Sequence, residues 1–255
     1  SKFDLTETRS TLEWSNGRTR VERIFLAGGL ALDTSAAPPA YHLDLNPSVN
    51  HVTTETEAAR MTLPAIAVAA AGGSDGIGPL HLKGRISIKP GRLTVKKHPF
   101  LLDGISMQLP FEWPPARTPG TGRLKIDRIE HQELLLGALD GKIGQQGEGL
   151  TLTLEHTSKL FPGLHVLING AVDGQGGNLE LSVPEYVLPE GFDLARFWPR
   201  LTGMQLDGRA EASGRLKMDR GGISGTVQLS VGDGAIRNEA QDMALEGIQL
   251  EVQMD

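Results

Sequence analysis

Along most of this chain apolar side chains recur at every second position, and glycine or proline cuts each run before an uninterrupted helix of ten residues can form. The period shows in Leu80 and Leu82, Ile86 and Ile88, Leu93 and Val95, and Ile105, Met107, Leu109 and Phe111. It continues in Leu150, Leu152 and Leu154; Leu164, Val166 and Ile168; Leu179, Leu181 and Val183; and Val227, Leu229 and Val231. Period two puts these side chains on one face of a sheet and Thr, Ser, Gln, Lys and Glu on the other. The expectation is an all-β, mainly antiparallel fold of about fifteen strands with few short helices. Glycine supplies 32 of the 255 residues, nearly twice its usual share, which suits frequent turns and bulges.

Residues 83–109 and 224–252 repeat each other. Gly84 matches Gly225, Gly91 matches Gly234, and Asp103-Gly104-Ile105 matches Glu246-Gly247-Ile248, each among alternating apolar residues. One β-hairpin unit used twice predicts an elongated sheet that grows by adding hairpins, whereas an enzyme of this length usually carries one catalytic constellation that is not duplicated. The best helical exception is Asp193–Trp198, where Asp193 caps a turn of Leu194, Ala195 and Arg196 before Pro199 ends it. Residues 127–140 fit helix or strand. The loop at 112–122, EWPPARTPGTG, predicts a boundary between an N-terminal β half, residues 1–115, and a C-terminal half, 116–255, continuing the same sheet. Pro184 to Gly191 is a second candidate break.

Formal charge is −6 with the basic residues scattered, which argues against a nucleic-acid partner. The absence of cysteine removes disulfides, thiolate metal sites and thiol catalysis together. The longest aliphatic run, Ala65–Ala71, is far short of the roughly 20 residues of a spanning helix. The chain begins at a serine and stops at Asp255 within a strand-like pattern, so it reads as a piece of a longer protein whose leader or anchor lies elsewhere.

No catalytic, metal or cofactor site is expected. Gly72-Gly73-Ser74-Asp75-Gly76 fits the G-x-S-x-G elbow, but Ile77, Gly78 and Pro79 cannot open the helix that elbow needs, so it reads as a turn. Among His42, His51, His81, His98, His131, His156 and His165 no pair has metal-ligand spacing of two or four. Glu55 and Glu57 can share a strand face as a carboxylate pair, yet Thr53, Thr54 and Thr56 around them are polar, which reads as a solvated strand edge. Gly76-Ile77-Gly78 lacks the further glycine of a phosphate-binding loop, and Lys96-Lys97-His98 reads as a solvated basic turn.

Two packings use the same alternation. In a sandwich or barrel the apolar faces close on each other, as the pattern alone favours; in an open trough they need a greasy ligand to cover them. An aliphatic lining, poor in aromatics and convergent polar groups, suits disordered acyl chains.

The glycine-punctuated strands GALDGKIGQQGEGLTLTLEHTSKLFPGL at 137–164 and GGISGTVQLSVGDGAIRN at 221–238 resemble the AsmA-like envelope proteins, most of all their YdbH-like branch. The resemblance covers about residues 80–255. It implies a Gram-negative periplasmic protein, anchored in the inner membrane by a helix absent here, whose curved sheet forms an apolar groove for moving phospholipid toward the outer membrane. A dicarboxylate-transport label borne by some relatives finds no enclosed Arg or Lys cluster to support it. The expected groove lining is Leu150, Leu152, Leu154, Val166, Ile168, Leu179, Leu181, Val183, Val227, Leu229, Val231, Ile248 and Leu250. Open sheet ends would also accept an added strand from another chain or from the rest of this protein. The competing expectation is a periplasmic β-rich scaffold that binds protein or glycan and has a closed core.

Overall fold

The computed structural model describes residues 2–254 apart from 8, 9, 15, 16, 36, 37, 97, 98, 116–119, 197, 198, 220, 221 and 239–242. The fold is all-β and antiparallel. The strands are β1 (Lys2–Glu7), β2 (Ser10–Trp14), β3 (Gly17–Asp33), β4 (Ala40–Thr56), β5 (Ala59–Ser74), β6 (His81–Val95), β7 (Phe100–Trp113), β8 (Thr121–His131), β9 (Leu134–Gln146), β10 (Gly149–Ser158), β11 (His165–Val172), β12 (Gly177–Val187), β13 (Phe192–Asp193), β14 (Met204–Asp219), β15 (Gly222–Asn238) and β16 (Met243–Met254). Two 3₁₀ turns, Leu194–Arg196 and Pro199–Leu201, complete the described elements. Asp193 caps the first by accepting the Ala195 N–H at 2.9 Å; Pro199 opens the second, and Trp198 of the expected turn lies outside the described residues.

The chain forms two compact units, residues 1–154 and 155–255. In the first, strands follow one another in the order β1, β3, β4 and onward to β9 and the first part of β10, with β2 also on β3; in the second, after the last residues of β10, the order is β11, β12, β14, β15, β16, with β13 on β14. Neither path returns to its first strand, so each unit is an open sheet. Of the expected boundary loop, residues 116–119 lie outside the described residues; the strands on either side of it, β7 and β8, pair with each other. Pro184, in the second candidate break, lies inside β12.

The repeat is a pair of hairpins with one register irregularity in common. In β6–β7 the pairing runs Leu82↔Trp113 to Ile88↔Met107, slips at Gly91↔Ile105 and is restored at Arg92↔Asp103. In β15–β16 it runs Val227↔Met254 to Val231↔Leu250, slips at Gly234↔Ile248 and is restored by Ile236↔Leu245. The matched glycines are therefore bulge residues, and Gly104 and Gly247 hold the positive φ a bulge demands, 71° and 69°. A third copy, not evident in the sequence, is β8–β9, with Ile126↔Leu139, Ile129↔Gly137 and Glu130↔Leu135. It resolves the ambiguous 127–140 segment as strand, turn and strand. Gln132 and Glu133, at φ 49° and 67°, make the primed type of turn whose twist suits a hairpin.

These slips belong to a line crossing the first unit's sheet. Between β3 and β4 pairing lapses at Glu22 and His51. Between β4 and β5 it lapses opposite His51, at Pro64. Between β5 and β6 it lapses from Thr62↔Arg92 to Ile66↔Ile88, which sets Pro64 opposite Pro90. The same level continues through Gly104 in β7 and the slip in β8–β9. Proline has no N–H for the ladder, so two facing prolines in central strands force the gap, and bulges are where such prolines are tolerated. Across the line the alternation changes parity, which keeps Ile86 and Ile88 on the same face as Leu93 and Val95.

Burial is shallow. Among the described residues no large side chain is fully buried; the least exposed apolar ones include Leu63, Leu109 and Ile143 at 5% each. The sandwich or barrel weighed on pattern alone is not the packing found. Alternation reports which residues share a face and carries no information about whether a second layer covers it. Denser packing occurs locally in the second unit, where Phe161 stacks on Phe192 at 4.9 Å, meets Tyr186 edge-on at 6.3 Å, and the Tyr186 hydroxyl donates to the Pro162 carbonyl.

Candidate functional site

In the second unit, pairing sets the expected lining residues beside one another. Ile168 faces Leu181, Leu181 faces Gly214, and Gly214 faces Val227 across β11, β12, β14 and β15. The next row is Val183, Ala212 and Leu229, and the one beyond joins Ala210 to Val231. Val166 shares the β11 face of Ile168, and Leu179 lies opposite Gly170. All these side chains are half-buried. Leu250 faces Val231 and Ile248 faces Gly234 in β16, and the side chains of both lie outside what the structure describes. Leu150, Leu152 and Leu154 alternate along β10 in the first unit, with Leu154 the most buried at 7% exposure.

Glycine keeps this face shallow. A Cβ on Gly170 would come within 2.6 Å of a Leu179 methyl, and one on Gly214 within 3.2 Å of a Val227 methyl, so the larger neighbour lies over the glycine.

The first unit carries a comparable face that the sequence reading did not assign to lining. One row passes through Ile24, Val49, Ile66, Ile88, Met107, Leu124 and Gly141, crossing β3 to β9. On the other side of the unpaired line a second row joins Met61, Leu93, Leu102, Ile129 and Gly137. The signal was present as Ile86, Ile88, Leu93 and Val95, but the parity change at Pro90-Gly91 made one strand look like two.

The opposite faces are charged and wet. Cross-strand ion pairs include Arg18–Glu55 at 3.0 Å, Lys83–Glu112 at 3.0 Å, Arg92–Asp103 at 2.9 Å and Arg209–Glu185 at 3.0 Å. Arg92 holds the Asp103 carboxyl below the ordinary carboxylate range, and Arg123 does the same for Asp140. Exposed pairs of this kind add little stability, but they fix which face stays in water. Two shallow depressions open on the polar faces. One of about 450 Å³ in the second unit is bordered by Asn169, Glu180, Ser182, Ser213, Arg215 and Gln228, with Leu181 and Gly214 also in its lining; one of about 190 Å³ in the first is bordered by Thr121, Lys142, Thr151 and Thr153, with Ile143 and Leu152.

The remaining candidates resolve individually. The Ser74 hydroxyl donates to the Gly78 carbonyl at 2.8 Å, Asp75 accepts the Ile77 and Gly78 N–H groups, and bends leading to β6 follow in place of a helix. Glu55 is at the end of a central strand, not an edge; hydrogen bonds from Arg18 and Lys96 lower its pKa, the reverse of what a general acid needs. Glu57 lies beyond β4, in the turn to β5. Of the basic turn, Lys97 and His98 lie outside the described residues, while Lys96 bonds Glu55 and the Thr56 carbonyl. Burial holds the His156 imidazole below its usual range. His131 stacks on Phe100 with its Nδ1 buried and without a hydrogen-bond partner. Among the described residues no three metal-ligating side chains converge, and no helix is long and apolar enough to cross a membrane.

Compared with protein-family models, with curated proteins and with solved structures, the chain matches none.

Proposed function

We propose that this chain is a segment of a periplasmic lipid-transfer protein, similar to the YdbH-like branch of the AsmA-like proteins, whose apolar sheet faces shield phospholipid acyl chains between the inner and outer membranes. One observation carries the reading: half-buried Leu, Ile, Val and Met side chains continue row after row across an open sheet, opposite a face held in water by ion pairs. Within each unit the described elements are the strands of one sheet and, in the second, two short turns, so no second layer of that unit covers the face.

Each methylene withdrawn from water contributes about 0.8 kcal/mol, so exposing a chain of roughly 16 carbons costs on the order of 12 kcal/mol. An apolar track replaces that exposure with contact while the headgroup stays hydrated at the open side. No bond is made or broken, and no cofactor takes part.

A scaffold that binds protein or glycan is the second reading. The polar depression bordered by Asn169, Glu180, Arg215 and Gln228 favours it. Binding of a phospholipid with a fluorescent acyl chain separates the two. The lipid reading expects binding by the wild-type chain and at least a tenfold loss in Leu181→Asp with the β-sheet circular dichroism retained. No binding by the wild type, or equal binding by the variant, contradicts it.

A further inference from the structure

Strands resist bending because extended φ/ψ angles and ladder hydrogen bonds fix each other; where both lapse, the strand bends. In the first unit both lapse at one level, from Glu22 and His51 in β3–β4 through facing Pro64 and Pro90 to Gly104. His51 at φ 51° and Gly104 at φ 71° leave the extended region there. The line divides the sheet into two arms, and the apolar rows described above lie on both.

Among the described residues no ion pair joins one arm directly to the other. Lys83–Glu112 and Arg123–Asp140 lie within one arm, while Arg18–Glu55, Lys96–Glu55 and Arg92–Asp103 lie within the other. Lys125–Asp127 and Arg128–Glu130 each tie one arm to a residue on the line itself, since the β8–β9 pairing skips Asp127 and Arg128.

We propose that this line is a hinge about which the two arms of the first unit swing, so that the open apolar face curls over an acyl chain once it is bound. The ligand rests on the lipid reading; the motion does not. Bending is taken up by the glycine and bulge positions, while the paired segments on either side move as rigid arms.

Because the chain has no cysteine, two introduced ones can be spin-labelled without ambiguity. His81→Cys and Thr94→Cys place exposed labels on the two arms of β6, and Ala31→Cys with Thr121→Cys keeps both labels within one arm as a control. Pulsed electron-spin distance measurements are made with and without phosphatidylethanolamine–phosphatidylglycerol vesicles, with flotation reporting vesicle binding. The hinge predicts a distance distribution at least twice as wide for the first pair as for the control without vesicles, narrowing and shifting when they are added. A first pair as narrow as the control under both conditions overturns the hinge, and if flotation still detects binding the lipid reading survives that failure. A wide first pair with neither flotation nor any shift upholds the motion and removes the lipid reading.

Discussion

The two units solve the same problem with different neighbours. Hairpins β6–β7 and β15–β16 carry the same slip, built from glycines at matching positions, with φ of 71° at Gly104 and 69° at Gly247. In the first unit the slip continues into a line through Pro64 and Pro90 that side-chain pairs leave largely unbridged. In the second, the slips in β12, β14 and β15 surround Arg209, whose guanidinium reaches Glu185 at 3.0 Å and Asp233 at 3.7 Å. Glycine and proline therefore decide where a strand bulges. The surrounding side chains decide whether the bulge is tied down.

The largest expected effect compares the two glycines directly. A Cβ at Gly104 would sit 2.4 Å from an Asp127 carboxylate oxygen and 2.6 Å from its Cβ, while at Gly247 nothing lies within 4 Å. Gly104→Ala is expected to cost about 3 kcal/mol, combining strain at positive φ with crowding, and Gly247→Ala about 1 kcal/mol from strain alone. Urea denaturation checks this; equal costs would remove the distinction between a bulge flanked by β8 and one on the final strand.

Next in size are charges on the apolar faces. Leu152→Asp in the first unit and Leu181→Asp in the second are each expected to cost about 1–2 kcal/mol, because the new carboxylate can still reach water. A closed core would make each cost about 4 kcal/mol or more, so loss of the folded state in either variant would break the claim of an open face.

Smaller still is the Arg209 tie, half-exposed toward Glu185 and more exposed toward Asp233. Arg209→Ala is expected to change stability by about 0.5 kcal/mol, yet to speed amide exchange around Pro184, Gly208 and Gly234 several-fold. Unchanged exchange there would mean that the second unit's slips are held by the backbone alone.

The smallest effects depend on pH. Asp103 and Asp140 have folded pKa values below the ordinary aspartate value of 3.8, so their contribution is complete above that pH and is lost as acid passes through the lowered values. Asp103→Asn should flatten the acid limb. His156 also has a folded pKa below its ordinary 6.5, so stability falls as pH drops below 6.5 and the unfolded chain takes up the proton first. His156→Gln should remove that slope in melting experiments between pH 7 and 5 and leave the acid limb in place.

Strand character was legible because period two survives in short windows: Val166 and Ile168, Leu179 to Val183, and Val227 to Val231 all fall on one face as expected. The hairpin repeat was legible because its glycines are tied to conformation. Strand length was not. A bulge inserts a residue and reverses parity, so β6 read as two segments, and the same effect concealed the first unit's rows. The third hairpin was obscured because Leu134, Leu135 and Leu136 satisfy helical and strand patterns alike, and the turn before them uses Gln132 and Glu133 where glycine or asparagine is usual. Whether an apolar face is covered depends on layers distant in the sequence, which alternation cannot encode.

Native mass spectrometry on the chain purified from a bacterial envelope without detergent, followed by lipid extraction, addresses the open apolar face most directly. The account predicts phospholipid bound in defined stoichiometry and released when the acyl chains are displaced. A stable, folded chain of clean apo mass would contradict it and favour the scaffold.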